Sequence, residues 1–63
     1  IYPNPVKNML YLNGYSNRAV QIIDITGRII FQQKGGNSLD VSNLSSGVYF
    51  LNIDNVIVQF IKE

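Results

Sequence analysis

Val48-Tyr49-Phe50-Leu51-Asn52-Ile53-Asp54-Asn55-Val56-Ile57-Val58 is the stretch that decides the fold. Its apolar residues do not return every three or four positions as a helix face requires; they run up to Asp54-Asn55 and resume directly after it. Asp and Asn tolerate left-handed backbone better than other non-glycine residues, so this two-residue break reads as a hairpin turn. In the first run Tyr49, Leu51 and Ile53 share one face, and Val48, Phe50 and Asn52 share the other. Both faces are largely apolar, which predicts a strand central in its sheet.

The same pattern extends outward. Apolar runs of four to seven residues are separated by Gly, Asn, Asp and Ser, and no stretch keeps a 3.6-residue period for the length of an ordinary helix. Strands are expected at residues 9–12, 19–25, 28–33, 38–41, 48–54 and 56–61, with a truncated one at 1–2. About seven short antiparallel strands make an all-β sandwich. Alternation sets Val20 and Ile22 against Ile23 and Ile25, Ile29 and Phe31 against Ile30, and Val56, Val58 and Phe60 against Ile57 and Ile61.

Each link has its own turn chemistry. Asp24-Ile25-Thr26-Gly27 reads as a tight hairpin in which Asp24 accepts from downstream backbone N–H groups and Gly27 supplies a positive φ. Gly47 is expected at positive φ where the chain enters its central strand. Residues 34–37, Lys-Gly-Gly-Asn, form a flexible loop. Pro3 and Pro5 remove two ladder donors and place the opening segment at a sheet edge or outside the sheet.

Sixty-three residues make one small domain of marginal stability. The chain is 46% hydrophobic and 14% charged, too apolar for a disordered tail. No apolar run approaches the roughly 20 residues of a transmembrane helix. The net charge is +1, and Lys7, Arg18, Arg28, Lys34 and Lys62 are scattered, which argues against nucleic acid as a partner. There is no Cys, so no disulfide supports the core. The opening at Ile1-Tyr2 inside an extended segment reads as a fragment of a longer protein, with residues 1–63 one domain at its end.

Catalysis needs a nucleophile beside a base, or paired carboxylates, next to a pocket. The chain has neither His nor Cys. Its four carboxylates, Asp24, Asp40, Asp54 and Glu63, stand at turns or strand ends without the D-x-D clustering of a calcium loop. No catalytic residue, metal or cofactor is expected. Tyr15, in the Gly14-Tyr15-Ser16-Asn17 turn, is the best candidate for an exposed aromatic side chain. Arg28 is a cation read by a partner or the counter-charge of Asp24. There is more apolar surface than so small a sandwich can hide, so an exposed patch or an open sheet edge is expected as a docking surface.

Three motifs in fixed order carry a resemblance: Tyr2-Pro3-Asn4-Pro5, then Asp24-Ile25-Thr26-Gly27-Arg28, then Leu44-Ser45-Ser46-Gly47-Val48-Tyr49. Across nearly the whole chain they resemble the C-terminal sorting domain of the type IX secretion system, type A. Phe60-Ile61-Lys62 is similar to the family's terminal basic strand, although Gln59 stands where a Lys is common and the last hairpin is shorter than usual. The resemblance implies an immunoglobulin-like sandwich, without catalytic activity, at the C-terminus of a Bacteroidota cargo protein. Its implied partners are the N-terminal cargo domain and the translocon, shuttle and sortase proteins of the type IX system. The route is through the periplasm to the cell surface or outside, and the recognition candidates are Pro3, Asn4, Pro5, Arg28 and Lys62. The rival reading is a structural or carbohydrate-binding immunoglobulin-like module of a secreted enzyme or adhesin.

Overall fold

In the computed structural model, which describes residues 4–12 and 18–63, Asp54 and Asn55 stand at φ 54° and 70° and fold two seven-residue strands onto each other. Positive φ at both central positions is the two-residue turn whose twist matches that of antiparallel strands. The described chain has six strands and no helix: β1 Met9–Tyr11, β2 Ala19–Ile23, β3 Ile29–Lys34, β4 Ser38–Asp40, β5 Gly47–Ile53 and β6 Val56–Lys62. This is one strand fewer than seven; the extended segment expected at residues 1–2 lies outside the described residues.

Four strands form one sheet in the order β3-β2-β5-β6, and β1 pairs with β4 in a second. All pairings within the two sheets are antiparallel. Strand β5 is internal, with β2 on one side and β6 on the other. Its two faces differ: Tyr49, Leu51 and Ile53 are buried, whereas Val48 and Phe50 on the opposite face are only partly covered.

The core lies between the sheets. Val20 and Ile22 of β2, the buried face of β5 and Phe60 of β6 cluster with Leu10 and Leu39 of the smaller sheet, with Leu12 and Val41 directly after its strands, and with Val6. Tyr49 and Phe60 stack with ring centroids 5.7 Å apart, and the Tyr49 hydroxyl leaves the core by donating to the Ser45 carbonyl at 2.8 Å. Fully burying a side chain of the size of Leu, Ile or Phe stabilises by about 1.5–3 kcal/mol. That yield explains how three-residue strands such as β1 and β4 hold their place: Leu10 and Leu39, paired across them, are both fully buried.

Strand β2 ends at Ile23 because Asp24 begins the turn. Asp24 N donates to Arg28 O and Gly27 N to Asp24 O, each at 3.0 Å, and Gly27 takes φ 92°. The Asp24 carboxylate accepts from the backbone N–H groups of Thr26 and Arg28 at 2.9 and 3.1 Å, so the side chain substitutes for the ladder bonds that end here. Past this turn the β2–β3 register slips. Ile22 pairs with Phe31 but Ile23 pairs with Ile29, leaving Ile30 as the extra residue of a bulge. Burial still alternates over residues 29–31 as expected: Ile29 and Phe31 are exposed, and Ile30 packs partly buried against the core. The loop after β3 is spanned by the Gln33 amide, which donates to the carbonyls of Gly35 and Ser38 at 3.0 and 3.1 Å.

Gly47 opens β5 at φ 151°, a conformation L side chains rarely adopt, with open space around the position a Cβ would take. A Gly47→Val change is strained by its backbone rather than by crowding. It should destabilise by about 1–3 kcal/mol, which for a domain of this size corresponds to a drop in Tm of roughly 4–8 °C per kcal/mol. An unchanged melting temperature would show that the entry to β5 relaxes without cost.

Candidate functional site

The outer face of the larger sheet follows from register, because directly paired residues point to the same side. Ile29, Ile23, Phe50 and Gln59 form one row across all four strands, and Val48 and Ile61 begin the next. On the other side of that row come Gln32, Gln21, Asn52 and Ile57. Ile57 is 55% exposed, Ile29 46%, Ile61 42% and Val48 37%. The sequence predicts surplus apolar surface; the register gathers these four side chains on one face of the larger sheet, while Tyr11, Ile25, Phe31 and Val56 are exposed outside those rows.

The polar row is not idle. The Asn52 amide donates to Gln21 Oε1 at 3.3 Å, while Asn52 Oδ1 is buried without a partner. The row lies in an open depression shared with Gln33, Lys34 and Asp54, and among the described residues no aromatic side chain lines it. At its rim Arg18 and Asp54 form an exposed ion pair between the start of β2 and the β5–β6 turn.

Residues 4–6 lie along the free edge of β6. Val6 is fully buried and makes a parallel bridge to Lys62, donating to Ile61 O and accepting from Glu63 N, both at 2.8 Å. Asn4 places its carboxamide against the same edge. Its Oδ1 accepts from Ile61 N at 2.9 Å and its Nδ2 donates to Gln59 O at 3.4 Å.

The recognition candidates therefore fall into different settings. Asn4 and Pro5 are exposed on the β6 edge, and Pro3 lies outside the described residues, as do Tyr2 and Tyr15. Arg28 stands after its hairpin 3.5 Å from the Asp24 carboxylate, an ion pair whose arginine is largely solvated. Lys62 departs from the position of a solvated strand end: it is only 8% exposed, its stem turned inward and its Nζ donating to Glu63 O at 2.9 Å. The signal for that burial is parity, since Lys62 lies two residues from Phe60 on the same face of β6. Asn4 and Lys62 meet the same strand end, whereas Arg28 belongs to a separate turn.

Among the described residues, no three His, Cys, Asp or Glu side chains gather where they could hold a metal, and no helix is long and apolar enough to cross a membrane. The two perturbed carboxylates serve turns. The Thr26 hydroxyl, the Arg28 and Thr26 N–H groups and the Arg28 charge hold Asp24 below the usual carboxylate range. Asp40 is lowered by the hydroxyl and then the N–H of Ser42.

Comparison with known proteins finds one family model that matches residues 1–63, the whole chain: the secretion system C-terminal sorting domain. No curated protein and no solved structure matches the chain.

Because the folded pKa values of Asp24 and Asp40 lie below their unfolded ones, the stability they contribute is complete above the unfolded carboxylate range near pH 4. It is lost as pH falls through the lower folded values. The urea midpoint should therefore drop on acidification below about pH 4, and the double change Asp24→Asn, Asp40→Asn should flatten that drop. An acid slope identical in the double variant would assign the loss to other groups.

Proposed function

We propose the role of this chain from the family to which it belongs: it is a type IX secretion system C-terminal sorting domain. In this reading the domain ends a larger exported protein, directs it from the periplasm across the outer membrane and leads to its attachment at the cell surface. The observation that carries the proposal is the match over the full length of a chain whose three aspartates are engaged in turns and ion pairs. A label used by unrelated cargoes must fold on its own and present a surface that does not depend on the cargo.

The outer face of the larger sheet suits that task. Ile23, Ile29, Val48, Phe50, Ile57 and Ile61 present apolar area that the smaller sheet does not cover, and exposed apolar area of this kind marks protein contacts. The translocon and shuttle proteins are the proposed partners of this face, with the sortase acting after transfer. Arg28 and the Asn4-Pro5 segment are further recognition candidates, with Pro3 preceding them in sequence. Lys62, being buried, contributes through the shape of the strand end more than as a free charge.

A periplasmic reporter fused ahead of residues 1–63, with a short stretch of spacer, should reach the cell surface in a host with the type IX system. Paired changes Val48→Glu and Ile57→Glu, both on the exposed face, should leave the melting temperature within a few degrees and cut export at least tenfold. Normal export by that variant would remove the outer face from recognition. Periplasmic retention of the unaltered fusion, where an established sorting domain exports the same reporter, would refute the sorting role itself.

A further inference from the structure

The free edge of β6 is occupied by the chain's own opening segment, and the manner of occupation has the features of a binding site. The groups of Ile61 that bond to residues 4 and 6 point away from β5, so by strand alternation those of Ile57, Gln59 and Glu63 point the same way. Val6 and Asn4 engage Gln59 O, Ile61 N, Ile61 O and Glu63 N. Ile57 and the N–H of Gln59 continue the same edge beyond the reach of residues 4–6.

Two features separate this contact from an ordinary strand. Two of its four bonds come from one side chain: the Asn4 carboxamide accepts and donates as a peptide group would, without extending the ladder by its own backbone. Among its described residues the buried anchor is Val6, since Asn4 and Pro5 are exposed. By contrast, β5 is bonded along both edges and has three buried side chains. Residues 4–6 are thus the most lightly held part of the described sandwich that fills a core position.

We propose that the β6 edge is a peptide-binding site, closed in cis by residues 4–6 and able to take in their place an extended strand of a partner protein. The register defines that strand. It runs parallel to β6, carries a carboxamide side chain opposite Gln59 and Ile61, and two residues later inserts a β-branched apolar side chain into the Val6 position. Displacement bares the edge from Ile57 to Glu63, and backbone groups give the incoming strand its affinity while the Val6 position gives it selectivity. The site goes beyond the sorting role and is tested without export, so failure of one does not decide the other.

The test uses the whole chain and a fluorescent peptide with the sequence of residues 1–8. The Asn4→Ala chain loses two of the four cis bonds and should bind the peptide at least tenfold more tightly than the unaltered chain. Hydrogen exchange should slow at Ile61 and Glu63 on binding, and a peptide with Ala in place of its Asn should lose the gain. The Asn4→Asp chain supplies an independent arm. Its carboxylate faces the Gln59 carbonyl and opens the edge, and protonation below about pH 4 restores a donor and closes it again. Peptide binding by that chain should therefore fall on acidification relative to the unaltered chain at the same pH. Equal affinity of all three chains, protection at the β3 edge instead of β6, or no pH dependence with Asn4→Asp would each overturn the proposal.

Discussion

Pairing of β5 with β2 on one side and β6 on the other is the constraint on which the sandwich depends. Tyr49, Leu51 and Ile53 can be buried together only if β5 stays in register with both neighbours, since a one-residue slip would turn Val48, Phe50 and Asn52 inward. Register is pinned at each end by turn chemistry. Asp54 and Asn55 fix it toward β6 through left-handed backbone, and the Gly47 conformation fixes the point at which β5 begins. Phe60 lies opposite Tyr49 as a result, and the stacked rings tie the last strand to the middle of the core.

Electrostatics has a local role in this domain. Asp24 and Asp40 each accept from groups two residues downstream, and Asp24 also from Arg28 N–H, contacts that stay within their own turns. The Arg18–Asp54 and Arg28–Asp24 pairs are solvated, and pairs of that kind contribute on the order of 0–1 kcal/mol. Burial of apolar side chains therefore dominates, and it is unevenly spent: one face of the larger sheet is covered and the other carries its isoleucines to solvent. An economical fold would make that second face polar. Its apolar side chains are what makes it the proposed docking surface.

Much of this was legible in the residues because their physical signals are local. The strands at 48–54 and 56–61 and the turn between them follow from an apolar run broken by Asp54-Asn55, and the structure differs there by single residues at the ends. The family, too, was readable from three short motifs. What local pattern could not show was pairing at a distance. The bulge at Ile30 depends on how β3 meets β2 after the Asp24 turn, which alternation alone does not reveal. Asn4 reads as part of a proline-rich edge, and only contact with residues 59–61, more than fifty positions away, reveals its carboxamide as part of the ladder. Lys62 reads as a terminal charge because basic residues at chain ends are usually solvated, while the structure leaves it 8% exposed beside its bridge to Val6.

The parallel bridge between Val6 and Lys62 also decides how the domain meets mechanical load. Parallel strands run the same way, so the chain enters residues 4–6 at one end of the bridge and leaves β6 at the other. Tension between the two ends of the chain therefore pulls the strands along each other in shear, and the bonds of Asn4 and Val6 are strained together instead of opening one after another. A force directed across β6 would peel the same bonds singly. The domain should thus resist being drawn lengthwise by its own polypeptide and yield to a sideways pull, an anisotropy set by strand direction and independent of the equilibrium stability of the core.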